Sequence, residues 1–418
     1  FSGDIITATA GTSNFRAGVN AGNSITSGGD KNTVVGDEAG TAITTGDFNT
    51  ALGFEAGHDI TTGSANTIIG GLAGDKLIDA SYNVAIGSGA IGADTKGSKS
   101  IAIGYNSLVT QNFTSATDTF NVAIGFEAGK AVTTGVSNTF IGGLAGDALD
   151  TGGFNVAVGR STLTTDVKGS KSTAIGFGTL RAQTFSGATD TMNTAVGFEA
   201  GNDITSGINN TLIGSLAGDA LSDADNNTAI GYNALSGDTL GSRSTAIGYN
   251  TLLLQNFTSG TNVYNVAIGH DAGRAITTAL YSTIIGGLAG VAHQTGNFNT
   301  YIGYASGTAN AGDQNTLIGA NAGALLTNAD KNTIIGKYSG NQGGLDIRTS
   351  DNYIVLSDGD GNPRGTFDNN GNFTVGKTVN SHSTAGFGTT AGGVGNFIAD
   401  STTPLIVNRL TNDGKVIS

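Results

Sequence analysis

One motif, Asn-Thr/Val-x-Ile/Val-Gly, governs this chain. Its first residue falls at Asn14, Asn32, Asn49, Asn66, Asn83, Ser100, Asn121, Asn138, Asn155, Ser172, Asn193, Asn210, Asn227, Ser244, Asn265, Ser282, Asn299, Asn315 and Asn332. These are 19 copies, the first degenerate. The usual step is 17 residues, and the steps from Ser100, Ser172 and Ser244 are 21. A super-repeat of 72 residues therefore lies above the basic one. It recurs in the residues: Gly-Phe-Glu-Ala-Gly begins at Gly53, Gly125 and Gly197, and Gly-His-Asp-Ala-Gly at Gly269. Gly-Gly/Ser-Leu-Ala-Gly begins at Gly70, Gly142, Gly214 and Gly286.

A paired-helix repeat needs about 33 residues and a propeller blade about 40. A unit this short fits two short strands and two turns, one coil of a β-solenoid. From the second copy on, the fourth motif position is β-branched or Leu, as in Val35, Leu52 and Ile69 and on to Ile335. Such residues favour the pleated backbone. The third position is often Ala, as at Ala85 and Ala123, and larger in the Leu-Ala-Gly units, as at Ile68, Phe140, Leu212 and Ile284. Alternation puts the second and fourth positions on one side and the third and fifth on the other.

The Ile/Val column, with Ile69, Ile141, Ile213 and Ile285, is expected inside the coil. The Asn column, with Asn49, Asn121, Asn193 and Asn265, is expected to form a ladder whose amides bond the coils above and below. The predicted fold is all-β: a parallel β-solenoid or β-roll of 19 coils with a small C-terminal β-hairpin region. Residues 1–13 read as a lead-in, 14–340 as the repeat shaft and 341–418 as a hairpin and linker region. A coil this thin has a small core and leaves a second apolar face bare. The expected remedy is a homotrimer, with three chains packing the small third- and fifth-position face about a three-fold axis.

The four extra residues of each long step must loop outward. They fall in Gln111-Asn112-Phe113-Thr114-Ser115, Gln183-Thr184-Phe185-Ser186 and Gln255-Asn256-Phe257-Thr258-Ser259. Phe113, Phe185 and Phe257, with Asn112 and Asn256, are the candidate surface-binding residues: an aromatic ring beside amides and hydroxyls suits sugar stacking or a protein contact. The alternative is that each Phe folds back over a core end or a subunit seam. Beyond residue 340, residues 352–356, 364–367 and 373–375 read as short strands. Residues 376–400 read as irregular, and 404–410 with 415–417 as a final hairpin.

Composition narrows the chemistry. Glycine supplies 69 residues and proline 2, and there is no Cys. Disulfides, thiolate metal sites and a cysteine nucleophile are thereby excluded. A formal charge of −13 argues against a nucleic-acid surface. No apolar run approaches the ~18 residues of a membrane-spanning helix. The histidines His58, His270, His293 and His382 have no repeating ligand partner, and Glu55, Glu127 and Glu199 recur a super-repeat apart, too far to act as a hydrolytic pair. Asp358-x-Asp360-x-Asn362 opens like a calcium loop, but Pro363 stands where glycine is required. Lys96, Lys99, Lys168, Lys171 and Arg243 read as a solvated basic stripe. No catalytic residue, metal or cofactor is expected. The second motif position mixes Thr33, Thr67 and Thr211 with Val84, Ile101 and Val122, which breaks the regular Thr array an ice-binding face would want.

Asn121-Val122-Ala123-Ile124-Gly125 and Asn227-Thr228-Ala229-Ile230-Gly231 resemble the head repeats of trimeric autotransporter adhesins, left-handed parallel β-rolls trimerised along their length. The Gly-Phe-Glu-Ala-Gly and Gly-Leu-Ala-Gly versions are more similar to the repeat shafts of phage tail fibres. Tyr353 to Asp358, Asn372 to Gly376 and Leu405 to Gly414 resemble the stretch before a self-cleaving C-terminal chaperone in such fibres. The resemblance implies a non-enzymatic fibre of a virion tail: an extracellular, trimeric spacer that attaches to a host glycan or protein receptor, without membrane insertion. It also implies missing terminal segments, in keeping with a start at Phe1 without a leader. A bacterial surface adhesin or filament subunit is the alternative, and a tailspike glycosidase a third.

Overall fold

The computed structural model describes residues 10–376 and the backbone of 386–389 and 395–398. The expected lead-in is therefore described only from residue 10, and the expected final hairpin and His382 lie outside the described residues. The described chain is all-β, without a helix. It divides into two compact units, one of residues 1–242 with 258–261 and one of 243–257 with 262–418.

The first unit is a stack of three-residue parallel strands running from Phe15–Ala17 to Thr228–Ile230. Register is strict: Thr50, Ala51 and Leu52 lie opposite Thr67, Ile68 and Ile69. It survives the long steps, since Ile101, Ala102 and Ile103 lie opposite Val122, Ala123 and Ile124. The extra residues therefore leave the coil as a loop and return to the same register. Each loop is held at its base by a short parallel pair, Gly97–Ser98 with Thr117–Asp118 and Gly169–Ser170 with Thr189–Asp190.

The second unit repeats the pattern from Thr245–Ile247 to Thr333–Ile335. The stack then runs one coil further than the motif does. Ile354–Ser357 pairs in parallel with Thr333–Ile335, giving about 20 turns in the described chain. A short antiparallel pair, Asn341–Gln342 with Leu345–Asp346, interrupts the stack before that coil, and after it the main sheet turns antiparallel through Pro363–Phe367 and Phe373–Val375. Part of the stretch expected to be irregular is ordered too, because Gly386–Thr389 and Gly395–Ile398 continue that meander.

The expected inside and outside of the strand are reversed. The third position points inward: Ala51, Ile68, Ala123, Phe140 and Leu212 have no exposed surface. The fourth points outward, with Ile141 and Ile213 exposed and Ile69 and Ile285 half-exposed. The reason is volume. A 17-residue coil encloses a narrow lumen that must also take two residues from the turns, such as Ala56 with Ile60 and Ala73 with Leu77. Ala at the third position leaves that room, and interiors tolerate neither voids nor overpacking. The small third-position face is thus core and is closed to a partner.

The Asn ladder is present, with one change from expectation. Each Oδ1 accepts the backbone N–H of the next coil's motif residue, as from Asn138 to Asn121 at 2.9 Å and from Asn210 to Asn193 at 2.9 Å. The Nδ2 group turns back into its own coil, from Asn49 to the Gly63 carbonyl at 2.8 Å and from Asn265 to the Ala279 carbonyl at 2.7 Å, and in some coils also reaches the neighbouring amide, as from Asn66 to Asn49 Oδ1 at 3.0 Å. The side chain therefore both closes a coil and joins it to the next. The glycine ending each motif is obligatory. Gly125 has φ 143°, and a Cβ there would lie 2.5 Å from the Gly142 carbonyl oxygen.

Candidate functional surface

The loop phenylalanines are not displayed. Phe113 and Phe257 are buried and Phe185 is half-buried, while Asn112 and Asn256 are exposed. What pins Phe113 down is a buried polar cluster that recurs with the super-repeat. Asp94 accepts from the backbone N–H groups of Gly97 and Phe113, each at 3.0 Å, and from Gln111 Nε2 at 2.6 Å. Gln111 in turn bonds Ser100 Oγ at 3.0 Å and accepts from Asn121 Nδ2 at 2.9 Å. Asp166, Gln183, Ser172 and Asn193 repeat the arrangement, and burial raises the Asp166 carboxyl above its usual range. Asp94 and Gln111 occupy the inward site that holds Ile60 and Leu77 in the two preceding coils. A buried carboxylate is tolerated there only because each oxygen has donors. The sequence signal was present: Asp94-x-x-Gly97, Asp166-x-x-Gly169 and Asp238-x-x-Gly241 each precede a loop Gln.

The basic residues expected to form a solvated stripe mostly brace the same loops. Lys99 and Lys171 pair with Asp118 and Asp190 at 2.6 Å, and Arg243 donates to the Tyr264 hydroxyl at 2.8 Å.

Two of the recurring glutamates, Glu127 and Glu199, act on a carboxylate of the next coil. Glu127 pairs with Lys130 at 3.1 Å, and their charges act on Asp147, whose carboxyl burial raises. At the equivalent place Asn202 replaces the lysine. There burial, with the charges of Asp203 and Glu199, pushes the Asp219 carboxyl up to about 6. Asp219 Oδ1 is buried without a hydrogen-bond partner. Among the described residues, no group of three His, Asp or Glu side chains is placed to share a metal ion. His58 bonds Asp59 at 2.6 Å, His270 stacks on Tyr249, and His293 is wholly buried between the carbonyls of Asn310 and Gly296. Asp358 closes a turn by accepting from the N–H groups of Asp360 and Asn362; the Asn362 N–H and the Arg364 guanidinium hold its carboxyl down at about 2.

The largest uncommitted surface is the outward strand face. Its middle is two columns, Thr or Val at the second motif position and Ile or Val at the fourth. Two exposed columns flank it. One is the residue before the motif Asn, held at positive φ, as in Phe48 (57°), Phe120 (51°) and Phe154 (61°). The other follows the motif Gly and includes Phe54, Phe126 and Phe198. Rings stack along each column, Tyr105 on Phe126 at 5.5 Å and Tyr281 on Phe298 at 4.9 Å. Lys31 and Lys99 lie over Phe48 and Phe120. In the first unit this face is ~20 Å wide and ~60 Å long at usual strand dimensions. That exceeds the ~300–600 Å² patch of an ordinary monomer. Such projecting rings also hold any flat rigid lattice away from the threonines. No protein-family model, curated protein or solved structure matches this chain.

Proposed function

We propose that the chain is a non-enzymatic structural fibre element, a rigid spacer that works as a homotrimer and attaches to a host-surface glycan or protein, as in the tail fibre of a phage. One observation carries the reading: a strand face with an Ile/Val column down its middle, flanked by columns that include exposed aromatic rings, and larger than the apolar patch of an ordinary monomer. Burying it supplies ~25 cal/mol for each Å² of apolar surface, and a stable interface takes ~800 Å² from each partner.

The number three follows from the width. Three faces ~20 Å wide close a triangle whose axis lies ~6 Å from each backbone, near half the ~10 Å spacing of packed sheets. Ile, Val and Thr side chains fill that gap. Four faces would leave the axis ~10 Å away and the centre open. Attachment falls to the exposed loop tips beside Asn112 and Asn256, since the neighbouring phenylalanines are buried anchors.

Light scattering on the purified chain over a range of concentrations tests the assembly. A stable mass three times 41.5 kDa is expected. A monomer at every concentration would overturn the proposal.

A further inference from the structure

The two columns that flank the strand face match each other in most coils. In the first unit Lys31 stands in the same coil as Asp37, Phe48 as Phe54, Ala65 as Gly71, Phe120 as Phe126, Ser137 as Gly143, Phe154 as Arg160 and Met192 as Phe198. Cation meets carboxylate, ring meets ring, small meets small, guanidinium meets ring and thioether meets ring. Each of these is a favourable contact pair. In the second unit Tyr264 shares a coil with His270 and Phe298 with Tyr304.

Nothing within one chain calls for this matching. The members of a pair are six residues apart, on either side of a three-residue strand, which sets them ~20 Å apart where the chain between them runs extended. The recorded ring contacts run along the columns instead, as with Tyr105 on Phe126 and Tyr264 on Tyr281. Tyr82 with Ser88 and Tyr281 with Gly287 set a ring against a small residue that leaves it room, and Ser13 with Val19, Asn226 with Tyr232 and Gln314 with Ala320 match no chemistry. Lys331 with Lys337, in the last coil of the motif, sets two like charges against each other.

We infer that copies of this chain associate side by side, parallel and in exact coil register, with the column before the motif Asn of one copy packed on the column after the motif Gly of its neighbour. The inference rests on the self-association reading and goes further, because it fixes direction, register and residue pairs. A contact between two different columns is heterologous and closes into a ring when the rotation allows. A slip of one coil would set Phe120 against Gly143 and Ser137 against Arg160 and would lose the Lys31–Asp37 and Phe48–Phe54 pairs, while Tyr82 would meet Tyr105 and Phe154 would meet Phe177. The irregular order of large, small and charged coils is thus a register code, which a uniform Ile/Val face lacks.

The chain has no cysteine, so introduced pairs report cleanly. Ser137→Cys with Gly143→Cys places two thiols in one coil, too far apart to bridge within a chain, since a disulfide needs Cα atoms within ~7 Å. A Cβ at Gly143 meets no atom within 4 Å. Mild oxidation is expected to link this variant between chains into a covalent oligomer of the native multiple. Ser137→Cys with Arg160→Cys, one coil out of register, is expected to link at a tenth of that yield or less. A second pair needs no oxidation. Lys31→Asp alone should speed subunit dissociation on dilution at least several-fold, and adding Asp37→Lys should restore it. At ~20 Å within one chain that rescue has no route, because solvent charges are screened beyond ~8 Å at physiological salt. An oligomer that links equally in the shifted pair, or that the double charge swap leaves as weak as the single, overturns the register while leaving self-association standing. A monomer by native mass overturns both.

Discussion

Replacing Asn138 by Ala tests whether the ladder joins the coils. Asn138 is wholly buried. Its Oδ1 accepts the Asn155 N–H at 2.9 Å, and its Nδ2 donates to the Gly152 carbonyl at 3.0 Å. Alanine leaves one donor and one acceptor buried and unpaired. At ~1–3 kcal/mol for each, the cost is about 2–6 kcal/mol. A repeat stack need not unfold in one step, so the assay must be local. Amide exchange at Asn155 is expected to quicken by at least ~30-fold, the rate equivalent of about 2 kcal/mol. Asn138→Asp sharpens the test. An ionised aspartate keeps the Asn155 bond but turns a second oxygen on the Gly152 carbonyl, and burial raises its pKa above the unfolded ~3.9. The folded state then binds the proton more tightly than the unfolded state does, so stability should rise as pH falls from 7 towards 4, where the protonated acid donates to Gly152. If alanine leaves Asn155 exchange unchanged, or the aspartate variant grows weaker on acidification, the ladder does not hold the coils.

Two further outcomes follow from the buried groups. Phe113→Ala should lower stability by about 3 kcal/mol and open residues 114–116 to protease, while Asn112→Ala, at an exposed site, should stay within ~0.5 kcal/mol of the parent; thermal unfolding and limited proteolysis read both. Asp219, with its carboxyl raised to about 6, should take up a proton on mild acidification, so that part of the first unit's stability is gained as pH falls through 6 and is flat below ~4. Asp219→Asn should abolish that slope and raise stability at pH 7.5, and a pH series of unfolding midpoints in which parent and variant run parallel would contradict the assignment.

The sequence carried the architecture because the architecture is periodic. Seventeen-residue spacing dictates parallel stacking, and the 21-residue steps had to become loops, since Ile101 and Val122 still meet in register. The Asn column was legible because a buried amide at a fixed place in every coil has few uses other than a ladder. What the pattern could not decide was its own sidedness. Alternation says that Ala123 and Ile124 point to opposite faces, and hydrophobicity alone sends Ile124 inward. The lumen inverted that choice, because Ile or Leu reaching in from the turn at Ile60 and Leu77 already fills it. Phe113 took the other of the two places the sequence left open: a Phe in a polar loop can be displayed or folded back, and only the hold of Asp94 on its backbone from within the core decides for the second. Both outcomes set apolar side chains where their local surroundings in the sequence do not suggest. Ile and Val went out to the strand face and the loop Phe went in. The outcome is a chain whose interior is satisfied coil by coil while its most regular apolar surface is turned outward, and it is on that surface that the proposed self-association rests.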